Sequence, residues 1–245
     1  MDFPAAGRKV GAPRGRWVRG AARIDGGLVV VDEPYVEWTP EIHGDRVGPG
    51  DPIVELAAIR DPVGVVEFAN RFGLLWHDAS CEHRESLQAW DNEAKLLKTI
   101  IGLYVDVQTV SAERTPDRLR ELRLVWQPLV GGAASDAEFV VDAARVVADV
   151  VSKKLADAPG VQERVAVLAR PDRVEQFVFE SEASTLLALL YHQAAVLMVA
   201  YAPMRACTDP RCGRFFTLTD RRQKFCSPQH ATRARVRRHR EGDQR

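Results

Sequence analysis

Three cysteines and a histidine, Cys207, Cys212, Cys226 and His230, fall in the pattern C-x4-C-x13-C-x3-H. No other feature of the chain limits its fold so sharply. Thiolate sulfur and imidazole nitrogen are the ligands that tetrahedral zinc prefers. Pro210 bends the first pair into a tight turn, and Gly213 permits a positive φ just past the second thiolate. Phe215, Phe216 and Phe225 lie where they can cover an ion. Ser227 and Pro228 suit a helix start, which places Cys226 at its entrance and His230 one turn on. Knuckle, hairpin and helix in that order predict a treble-clef-like finger built on structural Zn2+. The competing reading is three incidental buried cysteines; spacing, glycine and cap agree against it. A module of this size has almost no core, so the metal would supply most of its folding free energy, roughly 10–16 kcal/mol. Nothing in the pattern argues for an open, catalytic zinc.

Cys212-Gly213-Arg214-Phe215-Phe216, the Phe225-Cys226-Ser227 step and the run from Arg233 to Arg240 together resemble the C-terminal zinc fingers of bacterial CGNR-type proteins, and related FCSxxC fingers. The resemblance covers residues of about 205 to 240. The Cys-Gly-Asn-Arg tetrad is absent, and His230 stands in place of the fourth cysteine, with His239 as a spare. The resemblance implies nucleic-acid binding, attached to a regulatory helical domain.

Charge points the same way without the family. The chain is neutral, with 34 basic and 34 acidic side chains, but they are segregated. Residues 205–245 hold twelve bases and four acids, and residues 1–23 hold six bases and one acid. The segment between them carries sixteen bases and twenty-nine acids. Arg233, Arg237 and Arg240 recur at helical spacing, flanked by Arg235 and Arg238, while Arg221, Arg222 and Lys224 precede Cys226. A metal holding loop and helix together would make these one phosphate-binding surface, for DNA or RNA. The alternative is a solvated basic tail that offsets or docks on the acidic body. Arg8, Lys9, Arg14, Arg16, Arg19 and Arg23 form a basic arm that reads as a disordered tail before it reads as a second phosphate contact.

Residues 24–204 read as a mainly helical domain with minor β structure, between the flexible arm (1–23) and the finger (205–245). Short strands are expected at Trp17–Arg23, Leu28–Val31 and Tyr35–Trp38, with Asp25-Gly26-Gly27 and Pro34 as breaks. Asp51-Pro52 and Asp61-Pro62 are helix starts. Apolar residues from Leu87 to Val105 predict a long amphipathic helix over about 85–107, followed by helices over 116–129 and 136–155. A hairpin over 165–179 turns at Arg170-Pro171-Asp172. Ala183 to Met204 contains no formal charge over a membrane-spanning length, yet Tyr191, His192 and Gln193 sit at its middle. It therefore reads as a buried core helix, with His192 and Gln193 hydrogen-bonded or facing a cleft.

His77, Cys81 and His83 lack a fourth ligand and read as incidental. Glu180, Glu182 and His192 are set aside as a pocket because sequence proximity does not establish contact. Clustered thiols and an opening without the basic-then-apolar order of a secretory leader give a cytoplasmic expectation. The expected function is a non-enzymatic, nucleic-acid-binding regulator whose helical domain senses or assembles. A protein adaptor gripping an acidic partner is the alternative, and an enzyme with a pocket around His192 is the lesser one.

Overall fold

A computed structural model describes residues 16–38, 46–76, 83–113, 115–132, 135–157, 161–170, 173–183 and 185–242. Among these, seven helices and seven short-to-medium antiparallel strands make a mainly α protein with minor β structure.

Strands β1 (Arg16–Asp25) and β2 (Leu28–Trp38) form a hairpin. Its two-residue loop, Gly26-Gly27, has φ of 56° and 83°, the left-handed conformations that match the twist of the flanking strands. The strand expected at Trp17–Arg23 is present within β1, so the basic segment is not a loose arm from Arg16 onward, and Val18 is buried. Residues 1–15, including Arg8, Lys9 and Arg14, lie outside the described residues. Pro34 does not break β2, contrary to the sequence expectation. The register shifts between Arg19 and Ala21, and that bulge absorbs Glu33 and Pro34, with Glu33 at φ 49°. A third strand, β3 (Arg84–Ser86), pairs with β2 where a helix start was expected. Buried Glu85 on it accepts hydrogen bonds from the Leu75 and Trp76 amides at 3.0 and 2.6 Å.

Helices α1 (Pro52–Ala57) and α2 (Pro62–Phe72) begin at the expected prolines. Asp61 caps α2 by accepting from Gly64 N at 2.9 Å. Asp51 instead accepts from Gly48 N at 2.6 Å, holding the entering turn and leaving α1 without a side-chain cap. Then come α3 (Leu87–Glu113), α4 (Pro116–Val130), α5 (Asp136–Asp157) and the hairpin β4 (Val161–Arg170)–β5 (Arg173–Ala183). Longer than predicted, α3 is the spine against which α1, α4 and α5 pack.

The uncharged stretch folds as α6 (Leu186–Val199), capped where Thr185 Oγ1 accepts from Ala188 N at 3.1 Å. Fourteen residues rise only about 21 Å, short of a hydrocarbon core of about 30 Å. None of the described helices is long and apolar enough to cross a membrane. Leu186, Leu189, Leu190 and Tyr191 are fully buried in the core. Gln193 departs from expectation: it is 2% exposed, and neither end of its amide has a protein partner. Buried Glu93 of α3 joins three helices, taking Lys154 Nζ of α5 at 2.7 Å and the Tyr191 hydroxyl of α6.

The chain leaves α6 through β6 (Met204–Ala206), which pairs with β7 (Phe215–Thr217), and closes with α7 (Pro228–Gly242).

Candidate metal centre

The loop between β6 and β7 carries the first cysteine pair. Cys207 N donates to Arg214 O and Cys212 N to Asp209 O, both at 2.9 Å, folding the knuckle back on itself. Gly213 has φ 67°, the positive value that glycine permits, and a Cβ there would displace the Arg60 guanidinium. Thr208 N and Oγ1 both donate to Lys224 O, at 3.0 and 2.8 Å, bringing the loop before Cys226 alongside the knuckle. Ser227 starts α7, its Oγ accepting from His230 N at 3.4 Å.

These local devices bring Cys207, Cys212, Cys226 and His230 together, with their ligand atoms all within 4.8 Å of one another. Cys212 and Cys226 Sγ are 3.6 Å apart, and His230 Nδ1 lies 3.1 Å from Cys226 Sγ and 3.6 Å from Cys207 Sγ. A disulfide needs about 2.05 Å, so the three thiols are free. Metal–sulfur bonds of about 2.3 Å and metal–nitrogen bonds of about 2.0 Å at tetrahedral angles give edges of about 3.5–3.8 Å. Two of the three measured separations match those edges and the third is slightly short, so the group can hold one metal ion. His230 presents Nδ1 to it, whereas His239 lies exposed on α7 and outside the group.

The electrostatics fit the same reading. Burial, reinforced by the adjacent Cys212 and Cys207 sulfurs, pushes the Cys226 thiol well above its ordinary range. Crowded thiols resist becoming thiolates together unless a cation compensates them. Phe216, Phe225 and Leu218 pack around the cysteines.

Two ion pairs that the sequence did not reveal fix this centre in place. Arg214 Nε and Nη2 reach Glu55 Oε2 of α1 at 3.0 and 2.8 Å. Glu55 Oε1 meanwhile accepts from Gly50 N at 2.8 Å. The hydrogen bond to Glu55 is the main reason the Arg214 guanidinium is held above its usual range. The second pair joins Arg237 Nη1 to Asp209 Oδ1 at 3.6 Å, with Asp209 only 2% exposed. No spacing rule links Glu55 to a residue 159 positions away, and Asp209 looked like an ordinary turn residue.

The second pair corrects the expected arginine stripe. Arg237 turns toward the knuckle on the side of His230 and buried Ala234, and ties α7 to the metal turn. Arg221, Arg222, Lys224, Arg233, Arg235, Arg238 and Arg240 are exposed. At about 100° per residue, Arg233 and Arg240 share a side while Arg235 lies about 200° round from Arg233. The charge wraps the outer surface of the helix; it does not follow one edge.

In the basic segment near the start of the chain, Arg23 is paired with Asp32 and Asp25 at 2.8 and 2.9 Å, and Arg19 donates to Asn70 O at 3.5 Å. Of the groupings set aside earlier, His77 and Cys81 lie outside the described residues, as do the side chains of Glu180 and Glu182. His192 is half-buried on α6. Comparison with protein-family models, with curated proteins and with solved structures found no match.

Proposed function

We propose that the chain is a zinc-stabilised nucleic-acid-binding protein, acting as a regulator in the cytoplasm. The observation that carries the reading is the convergence of three free thiols and His230 Nδ1 within 4.8 Å of one another beneath a helix with four exposed arginines. Zinc suits a donor set of three sulfurs and one nitrogen, enclosed by aromatic rings and lacking an open position. A turn with two ligands, a short hairpin and a helix with two more support assigning the module to the treble-clef class, and the likeness to CGNR-type fingers supports the same assignment.

The metal would hold Arg221, Arg222 and Lys224 of the loop in fixed relation to Arg233, Arg235, Arg238 and Arg240 of α7. Such a surface binds phosphates by releasing their counterions, with a log–log salt slope of about −0.9 per contact on duplex DNA. Fluorescence anisotropy on labelled DNA and RNA at two salt concentrations tests this. Replacing Arg233, Arg235 and Arg240 with alanine is expected to weaken binding and flatten the salt slope by about three contacts. Micromolar binding that ignores those changes sinks the reading. A partner retained in a pull-down after nuclease treatment would instead favour an acidic protein as the target.

A further inference from the structure

We infer that the cleft between α3, α5 and α6 is a binding site for an uncharged, mainly apolar small molecule, and that β6 reports its occupancy to the metal module. The cleft has a volume of about 350 Å³, and among the described residues no charged side chain lines it. Val147 and Val151 of α5 form one wall, Ala195 and Met198 of α6 the other, and Tyr104 of α3 lies at the floor. Its volume falls at the lower end of small-molecule sites. A volume of that size, walled on three sides by short apolar side chains, suits a compact small molecule.

The lining also selects against charge. Gln108, the most polar lining residue, is already committed: its Nε2 donates to Tyr104 Oη at 2.8 Å and Ala202 O at 2.9 Å, and its Oε1 accepts from Met204 N at 3.1 Å. The Tyr104 hydroxyl lies 3.1 and 3.2 Å from the carbonyl oxygens of Leu197 and Ala202. An ionised ligand entering here would lose its water and find no counter-charge. An apolar one loses only contact with water.

The rim carries an independent sign. Tyr201 follows the C-cap of α6, with Tyr201 N donating to Met198 O and Ala202 N to Leu197 O. This is the left-handed helix ending in which glycine is favoured, yet a tyrosine holds it at φ 50° and remains 60% exposed. Glycine would fit the backbone with less strain, whereas the tyrosine ring lines the cleft. The hydrogen bonds that form the floor end on Ala202 and Met204, three residues before Cys207, so a ligand pressing on Tyr104 and Gln108 acts directly on the entry to the metal turn.

The chain has three methionines, Met1, Met198 and Met204, so methyl-13C-methionine NMR on the full chain reads the cleft wall and β6 separately. The probes are indole, 2-naphthol and cyclohexanol, with indole-3-carboxylate as the charged control. The expected result is a saturable shift of the Met198 methyl with at least one uncharged probe and at least about tenfold weaker binding of the carboxylate. Met204 should move with the same dissociation constant. Ala148→Trp, which fills the cleft from an exposed position, should abolish the shift; Ser152→Trp serves if that variant does not fold. Tyr201→Gly should weaken binding without lowering the melting temperature, an outcome that a purely structural role for the ring does not give. A stationary Met198 with all three probes, equal binding of the carboxylate, or a shift that survives the filled cleft overturns the site. A moving Met198 beside a stationary Met204 overturns the coupling. None of these readouts involves nucleic acid, so failure here and failure of the nucleic-acid reading are separately visible.

Discussion

His230 and Gln193 show how differently two buried polar residues stand in one chain. His230 places Nδ1 among three sulfurs, so its burial is compensated the moment a cation enters the group. His230→Ala is expected to lower bound zinc from about one equivalent toward zero by mass spectrometry of the intact protein, while His239→Ala leaves it unchanged. Gln193 has no such compensation, with both ends of a buried amide lacking a protein partner. Gln193→Leu should therefore raise stability, by about 1–2 kcal/mol in denaturant unfolding, because leucine nearly matches its volume and needs no hydrogen bond. A destabilised variant would show that the amide is satisfied after all. The four side chains that can hold an ion were legible residue by residue, since residues able to converge on one ion recur at short, characteristic spacings. The isolation of Gln193 was not, because polarity in sequence says nothing about what lies opposite.

Helices announced themselves through periodicity and caps, and α2, α4 and α5 start close to where Asp61, Pro116 and Asp136 indicated, while α6 occupies the middle of the uncharged stretch from Ala183 to Met204. The misses were all contextual. Pro34 breaks a lone strand, yet here β2 bulges at Glu33 and Pro34 opposite Gly20 and its pairing with β1 resumes on either side. Glu85 reads as part of a helix, yet the Leu75 and Trp76 amides after α2 hold its side chain while β3 pairs with β2. Between elements, Tyr104 joins α3 to the end of α6. Burial, helped by neighbouring Tyr201 and opposed by the Gln108 hydrogen bond, pushes its hydroxyl up to about 12 from an ordinary value of 10.0. The unfolded chain thus gives up this proton first, and the folded chain holds more protons between those values. Stability should fall as the pH rises from about 10 to about 12, and Tyr104→Phe should flatten that slope in pH-dependent unfolding. An unchanged slope would mean that the group titrates alike in both states.

At the scale of the molecule, the cysteine module has its own small cluster and is anchored to the helical body's core through β7. Phe215 of β7 is buried in the body's main cluster, while Phe216 beside it faces the cysteines. Thr217 N donates to Val47 O at 2.9 Å, and Arg214 grips Glu55. The Arg214 side chain is one-third exposed, so the pair's strength is discounted toward that of a surface bridge. Glu55→Gln should cost about 1 kcal/mol, and a double-mutant cycle with Arg214→Met should return most of it as coupling energy. Additive losses would mean that the two side chains act independently.

The sequence by itself determined which three cysteines and histidine could meet, the succession of helices and the segregation of charge, because each follows from interactions over a few residues or from simple counting. Only the tertiary structure decided that Arg237 reaches Asp209, that Glu55 holds the cysteine turn, and that three helices line an uncharged cleft floored by Tyr104 and Gln108. Those pairings join residues far apart along the chain. Which distant groups meet is settled when the apolar faces of the helices are buried together, and local pattern contains no trace of that choice.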